Sequence, residues 1–381
     1  MHDRRVVVFS GGGTGGHLYP ALAVADELRA LHPEVRALFI GSRRGIEGRI
    51  LAERGEWHLL LPVQGLDRSR PFRSLLGVAG VVGSIARTLR LFAELRPEAV
   101  VVTGGYASAP AGIAAVLTGT PLVLQEPNAV PGLVTKLLSR WAAHVHVAFP
   151  EAVDRLPAGR ERAVVTGNPV RPRSEIERGQ ARARLGLPEH ATVLLVVGGS
   201  QGARAVNDAL LEAVRSVASG ALERPAELHV LWATGPAHHD RIRGELEAMG
   251  EGAEWVVPVP YIDDMPVALV ASDLALARAG ATFTAELLVE GLPAVLVPLP
   301  SAAEDHQARN AESLAAAGAA VVLPQAEMTP TRLWSAVASL TSDAPRLAVM
   351  RRVALGLARP EAAGRIAESV ARSMTSGTEA T

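Results

Sequence analysis

Short apolar runs alternate along the chain with longer segments in which apolar residues recur every three or four positions. The short runs are rich in valine, leucine and isoleucine and predict strands, whereas the longer segments predict helices with one buried face. This alternation is typical of βαβ units, so we predict parallel sheets. In the first half of the chain the predicted strands cover residues 5–10, 37–40, 57–61, 99–103, 121–125 and 144–148. In the second half they cover residues 192–197, 228–233, 254–257, 274–277, 294–297 and 320–323.

Two of these strands end in the same kind of glycine-rich turn. The first strand is followed by Gly11-Gly12-Gly13-Thr14-Gly15-Gly16-His17, and the strand at 192–197 by Gly198-Gly199-Ser200-Gln201-Gly202. A glycine turn between a strand and a helix directs backbone N–H groups at an anion, most often a phosphate. The repeat predicts two doubly wound α/β domains in tandem, at residues 1–166 and 167–358, with a cleft between them. Residues 359–381 predict a last helix with a frayed tail.

The first glycine turn supports several ligand hypotheses. Gly11, Gly13 and Gly16 satisfy the G-x-G-x-x-G spacing of dinucleotide-binding sites. That fingerprint expects a carboxylate at the end of the second strand, where this chain has Gly41-Ser42-Arg43-Arg44; the arginines would suit the 2′-phosphate of NADP. A Walker A loop is excluded because no Gly-Lys-Ser/Thr follows. A sugar-nucleotide transferase loop that ends in His17, and a glycine turn without a ligand, both remain open.

Composition and charge narrow the class of protein. The 381 residues are 48% hydrophobic and 20% charged, which suits two domains with sizeable cores. The absence of cysteine excludes a disulfide framework, a thiolate nucleophile and cysteine metal ligands. No signal peptide is expected, because the first strand follows directly on a short polar N-terminus. The net charge is −1, but residues 1–165 hold 19 basic and 14 acidic residues and the remainder 19 and 25. The basic first half points to an anionic partner.

Two segments bear on a membrane. Residues 99–125 carry no charge and are long enough to span a bilayer, but glycines and prolines divide them into strand, short helix and strand. Residues 65–96 interleave apolar side chains such as Leu66, Phe72, Leu75 and Val82 with Arg68, Arg70, Arg73, Arg87 and Arg90. This pattern suits the interface of an anionic membrane, and it equally suits a core-facing helix with solvated arginines.

Polar side chains follow several predicted strands, at the edge where parallel sheets bind their ligands. Glu126 and Asn128 follow the fifth strand and suit either recognition of hydroxyl groups or a turn with a helix cap. Asp263 and Asp264 suggest a metal, but their position just before Pro266 favours a helix cap.

In the second half, a turn at residues 278–282 opens a helix whose N-terminus is suited to a phosphate. Glu286 lies one turn into that helix and is placed to accept both hydroxyls of a ribose. A polar loop after the strand at 294–297 offers Gln307 and Asn310 as amide donors.

As a set, seven motifs resemble the MurG family, the bacterial N-acetylglucosaminyltransferases of glycosyltransferase family 28 that convert lipid I to lipid II. The motifs are Gly12–His17, Thr103–Gly112, Gly167–Arg171, Gly198–Gly202, Tyr261–Met265, Arg278–Thr282 and His306–Ala311. The resemblance extends from Gly11 to about Ala371. The chain departs from the family at Gln125-Glu126-Pro127-Asn128, where His-Glu-Gln-Asn is common, which leaves Glu126 and Asn128 as the candidates there.

The resemblance implies a GT-B fold, with two Rossmann-like doubly wound parallel-sheet domains facing across a cleft. It implies transfer of GlcNAc from UDP-GlcNAc to lipid I in peptidoglycan synthesis, and through it a part in cell shape and division. The first domain would bind lipid I at the cytoplasmic face of the cell membrane, as a peripheral protein, and the second would bind UDP-GlcNAc. The C-terminal helix would pack back on the first domain. No metal, cofactor or nucleic acid is expected.

The site residues follow from these motifs. The resemblance implies that Glu286 binds the ribose, that the backbone of Ile262 meets the uracil and that Gln307 binds sugar hydroxyls. The complete donor-binding set is Thr14, Gly15, Gly16, Asn128, Arg171, Ser200, Ile262, Ala281, Thr282, Phe283, Thr284, Ala285, Glu286 and Gln307. For the base that takes the acceptor's proton our candidate is His17, with Glu126 as the alternative.

Three other functions stay open. They are a UDP-GlcNAc 2-epimerase on the same two-domain architecture, a sugar-nucleotide-binding scaffold without turnover, and an NADP-dependent reductase.

Overall fold

The computed structural model describes residues 5–13, 15–43, 45–63, 71–157, 161–171, 173–199, 201–300 and 305–376, with side chains except at 71–79 and 375–376. The chain divides into two compact units. The first unit combines Met1–Val170 with Arg359–Thr381, and the second is Arg171–Ala358.

The first unit is built on a parallel sheet. In chain order its strands are β1 (Val6–Ser10), β2 (Arg36–Ser42), β3 (His58–Leu61), β4 (Ala99–Val102), β5 (Leu122–Glu126), β6 (His144–Val147) and β7 (Ala163–Val165). Across the described residues the sheet has seven strands in the order β3-β2-β1-β4-β5-β6-β7. Strand β1 lies between β2 and β4, with Val8 opposite Leu38 on one side and Val100 on the other. The strand order reverses there, so ligands are expected beyond the carboxyl ends of β1 and β4.

Helices cover both faces of this sheet. The first five are α1 (Gly15–Leu31), α2 (Glu47–Glu53), α3 (Pro71–Leu95), α4 (Ala109–Thr118) and α5 (Leu133–Leu138). Because side chains alternate along a strand, Phe9 packs on the α1 face while Val8 packs on the opposite face. Helices α3, α4 and α5 share that opposite face, where they contribute Phe92, Ala111 and Leu138 to the core.

The second unit repeats this architecture. Its strands are β8 (Thr192–Val197), β9 (Leu228–Ala233), β10 (Val256–Val259), β11 (Leu274–Ala277), β12 (Ala294–Leu296) and β13 (Ala320–Val322). Its helices are α6 (Arg178–Arg184), α7 (Arg204–Ala218), α8 (Pro236–Met249), α9 (Met265–Ala271), α10 (Ala281–Glu290), α11 (His306–Ala316), α12 (Pro330–Thr341) and α13 (Ala344–Leu357). The six strands found in the described ranges have the order β10-β9-β8-β11-β12-β13, so the first strand again lies between the second and the fourth.

The last helix, α14 (Ala362–Ser376), belongs to the first unit, where Ile366 and Val370 pack in the same core as Leu18 and Leu22 of α1. Among the helices in the described part of the chain, none combines the length and apolar character needed to cross a bilayer.

The predicted parallel sheets are confirmed, and every predicted strand is present. Strand β7 was missed because it has only three residues and exposes Val164, so its apolar pattern is too short to read. Residues 71–95 form helix α3, but most of the apolar and arginine side chains predicted for membrane contact lie outside the described residues.

Candidate functional site

The first glycine turn follows β1 and rests on a buried carboxylate. Gly13 has φ of 91°, a left-handed conformation that favours glycine, and its N–H donates to Oε1 of Glu47 over 2.6 Å. The same oxygen accepts from the N–H of Ser42 over 3.3 Å. Gly15 and Gly16 open α1, and Thr14 lies outside the described residues. The side chain of Glu47, the first residue of α2, therefore fixes the backbone of this turn.

His17, in the first turn of α1, is held against the end of β4. Its Nδ1 lies 2.8 Å from the carbonyl oxygen of Thr103, which can only accept, so Nδ1 carries the proton and a neutral ring has its lone pair on Nε2. The hydroxyl of Thr103 donates back to the carbonyl of His17 over 2.6 Å. A Cβ on Gly104 or Gly105 would come within about 3 Å of the ring, so glycine at both positions makes room for it.

Glu126 ends β5 and organises the loop that follows. Burial is the main reason that the pKa of its carboxyl is raised. Oε1 accepts from the N–H and the side-chain amide of Asn128 over 3.0 and 3.2 Å, and Oε2 accepts from the N–H of Gly132 over 3.0 Å. The hydroxyl of Thr135 also donates to this carboxylate. Both oxygens of Glu126 thus hold the loop in place.

The structure brings these groups to one edge of the first sheet. The space beside Gly104 is bordered by the ring of His17 and, 3.8 Å from the position of an added Cβ, by Pro127 in the loop of Glu126 and Asn128. His17, Glu126 and Asn128 therefore lie around the carboxyl ends of β1, β4 and β5, which is the edge at which parallel sheets bind their ligands.

In the second unit, Glu286 of α10 pairs with Arg171. Arg171 Nε lies 2.8 Å from Glu286 Oε1, and the glutamate side chain is buried. One of the two Glu286 oxygens predicted to bind the ribose is thus held by Arg171, which is itself a predicted donor-binding residue. Such a charge-assisted pair positions both groups and leaves the second carboxylate oxygen as a further acceptor.

The N-terminus of α10 carries several predicted donor-binding residues. Ala281, Thr282 and Phe283 open the helix, where the first N–H groups have no partner inside the helix. The hydroxyl of Thr284 donates to the carbonyl of Ala281 over 3.0 Å, so it serves the helix itself. Ala285 follows in the same turn.

The remaining candidates in the second unit are loop residues. Ile262 follows β10 with its side chain buried, which leaves its backbone as the binding group. Oε1 of Gln307 accepts from the N–H of Leu299 over 3.0 Å and orients that side chain. Ser200 lies outside the described residues. Asp264 caps α9 by accepting from the N–H of Val267, so its prediction as a cap is confirmed.

Comparisons with known proteins fit this arrangement. The models of the glycosyltransferase family 28 N-terminal and C-terminal domains match residues 7–147 and 193–366. A protein of Desulforudis audaxviator is 39% identical over 376 residues, 98% of this chain and 99% of its own length. It is named UDP-N-acetylglucosamine–N-acetylmuramyl-(pentapeptide) pyrophosphoryl-undecaprenol N-acetylglucosamine transferase.

This chain belongs to glycosyltransferase family 28. A crystal structure of MurG from Acinetobacter baumannii superposes with a TM-score of 0.74 at 30% identity, over 97% of this chain and 99% of that one. The GT-B fold class predicted from the motifs is thereby confirmed. A UDP-N-acetylglucosamine 2-epimerase from Listeria monocytogenes superposes with a TM-score of 0.69 at 16% identity, covering 100% of this chain and 98% of that one, which shows a shared fold alone.

Sequence reasoning missed Glu47, the buried carboxylate that supports the first glycine turn. No pattern marks it, because it stands 34 positions after Gly13 and at the start of a short helix. The same reasoning could not find the carbonyl of Thr103 as the partner of His17, since a backbone acceptor has no signature in the sequence.

Proposed function

We propose that this chain transfers GlcNAc from UDP-GlcNAc to the C4 hydroxyl of MurNAc in undecaprenyl-pyrophosphoryl-MurNAc-pentapeptide, the conversion of lipid I to lipid II. The observation that carries the proposal is near full-length similarity, at 39% identity, to a protein named for transfer of that sugar to that lipid-linked acceptor. The two lengths agree, so neither substrate-binding half is missing from the similarity.

His17 is the proposed base. The hydrogen bond from its Nδ1 to a carbonyl leaves Nε2 as the basic nitrogen of the neutral ring. The C4 hydroxyl oxygen attacks the anomeric carbon of GlcNAc, its proton passes to Nε2, and the bond to UDP breaks in one inverting displacement. Glu126 is less suited to this step, because both of its oxygens already accept hydrogen bonds from its own loop.

The second unit is the proposed donor site. UDP leaves with negative charge on its diphosphate, which the N-terminus of α10 and the guanidinium of Arg171 would stabilise. Glu286 would accept from the ribose hydroxyls through the oxygen not held by Arg171. In this account the predicted residues Thr14, Gly15, Gly16 and Asn128 meet the donor sugar from the first unit.

An anionic membrane surface is the proposed partner of the first unit. Leu133, Leu137 and Trp141 expose 67%, 53% and 54% of their surface, at a four-residue spacing that continues past the end of α5. Lys136 and Arg140 lie between them in sequence. Exposed leucine and tryptophan beside cations suit insertion at the interface of an anionic bilayer, here the cytoplasmic face of the cell membrane.

The direct test is a donor screen with a lipid I analogue present. UDP-GlcNAc should be consumed with formation of a disaccharide, whereas other UDP-sugars and dTDP-sugars should react far more slowly. Consumption of UDP-GlcNAc without the acceptor, with UDP-ManNAc as the product, would identify an epimerase instead. Binding of UDP-GlcNAc without turnover on the acceptor would indicate a scaffold.

A further inference from the structure

Glu47 is a fully buried carboxylate that the reaction as described does not use. It begins α2 and has none of its surface exposed. Oε1 accepts the N–H groups of Gly13 and Ser42, but Oε2 accepts no hydrogen bond from the residues that the structure describes. A buried polar atom without a hydrogen-bond partner destabilises the folded protein, and more so when the group is charged. The burial of the Glu47 carboxylate therefore needs an explanation from the residues around it.

Three glycines, one from the first glycine turn and two from the end of β2 and the turn after it, leave the room that this carboxylate occupies. A Cβ on Gly12 would lie 1.8 Å from Oε1, and one on Gly45 would lie 1.6 Å from Oε2. A Cβ on Gly41 would lie 2.9 Å from Cγ of Glu47. None of these three glycines has a positive φ, so the space for Glu47, and not backbone conformation, explains the missing side chains.

The contacts continue from Glu47 to the proposed base. Glu47 holds Gly13 through its amide and contacts Gly12, whose carbonyl oxygen lies against Gly105. The ring of His17 lies on the same side of Gly105, at 3.0 Å from the position of an added Cβ, so Gly12 and His17 border one small space beside Gly105. A shift of the first glycine turn would therefore change the space that the ring of His17 occupies.

We propose that Glu47 is a positioning residue for the transfer reaction, which holds the first glycine turn so that His17 keeps its place. The inference rests on the proposed function. Glu47 touches neither substrate; it acts through Gly12 and Gly13. It also takes up the amide of Gly13, so that amide is not a ligand for a phosphate.

The test compares four variants of this 381-residue chain in the transfer assay with UDP-GlcNAc and a lipid I analogue. Glu47→Ala should lower kcat about 100-fold, with the KM for UDP-GlcNAc raised no more than about fivefold, because most proposed donor contacts lie on the second unit and only the donor sugar meets the first glycine turn. Glu47→Gln should keep kcat within about fivefold, since its amide oxygen can still accept both N–H groups. Gly45→Ala should lower kcat by displacing Oε2, and should cause no further loss when combined with Glu47→Ala.

The matched control is Glu56→Ala. The side chain of Glu56 is also buried in the first unit, where it pairs with Arg29 at 2.9 Å, and lies outside the proposed site. It should lose stability and keep the kcat of the wild type. All activities are measured well below each variant's Tm and per mole of folded protein.

Three results would overturn the inference: a folded Glu47→Ala with normal kcat, a Glu47→Gln as impaired as the alanine variant, or losses for Gly45→Ala and Glu47→Ala that multiply. If Glu47→Ala does not fold, the kcat values of Glu47→Gln and Gly45→Ala still test whether Glu47 positions His17. A wild-type protein without any transfer would refute the proposed function, which is a separate outcome.

Discussion

His146 is a buried histidine that should make the first unit less stable in mild acid. Its Nδ1 lies 2.7 Å from the hydroxyl oxygen of Thr166, and that hydroxyl donates to the carbonyl of Val164, so Nδ1 is the donor. Nε2 therefore carries the lone pair, and it is buried with no hydrogen-bond partner among the described residues. Protonation of Nε2 would place a charge there without a partner.

Burial is the main reason that the pKa of His146 is lowered from 6.5 to about 4, and repulsion from His144, Arg365 and Arg372 adds to it. The unfolded chain takes up this proton near pH 6.5 and the folded chain only near pH 4. The stabilisation from the neutral ring is therefore complete above pH 6.5 and is lost as the pH falls toward 4. With about 1.4 kcal/mol for each pKa unit, linkage gives a loss of about 2 kcal/mol between pH 7 and pH 5.

Urea unfolding at pH 7, 6 and 5 measures this loss of stability. If the two units unfold in separate transitions, the transition of the first unit is the one to follow. His146→Gln cannot titrate, so the wild type should lose about 2 kcal/mol more than this variant between pH 7 and pH 5. His190→Gln, at an exposed histidine, should follow the wild type. The same pH dependence in the wild type and in His146→Gln would refute this reasoning.

Three further predictions concern the proposed reaction. His17→Ala should lower kcat by about 10²–10⁴-fold with little change in UDP-GlcNAc affinity; steady-state kinetics with unchanged kcat would remove His17 as the base. Glu286→Gln should raise the KM for UDP-GlcNAc at least tenfold, since charged hydrogen bonds contribute about 1.5–3 kcal/mol, and an unaltered KM would place the ribose elsewhere. Serine at both Leu137 and Trp141 should reduce co-sedimentation with anionic vesicles at least tenfold. The control is Leu31→Ser, at an exposed leucine of α1. Equal vesicle binding by the double variant and by Leu31→Ser would contradict the proposal that Leu137 and Trp141 contact the membrane.

The hydrophobic pattern was sufficient to predict the architecture, because the strands of a parallel sheet are buried on both faces. Val6–Ser10 and Thr192–Val197 are almost wholly buried, so they appear as unbroken apolar runs in the sequence. The pattern did not predict edge strand β7, because exposure of its middle residue interrupts the apolar run. Strand-end polar residues could also be predicted, since all strands of a parallel sheet present their carboxyl ends at one edge.

The interactions that orient the site could not be predicted from the sequence. The tautomer of His17 depends on a backbone carbonyl 86 positions away, and the shape of the first glycine turn depends on Glu47. Both contacts follow from how β1, β2 and β4 pair, which no local pattern encodes. The pairing of Arg171 with Glu286 is likewise a contact between residues 115 positions apart.

The most direct measurement of the proposed function is the structure of the product formed from UDP-GlcNAc and a lipid I analogue. We expect UDP and a lipid-linked GlcNAc–MurNAc disaccharide joined at C4 of MurNAc, with the configuration at the anomeric carbon inverted relative to the donor. Recovery of the unmodified acceptor, or a disaccharide with retained configuration, would contradict a single displacement at this site.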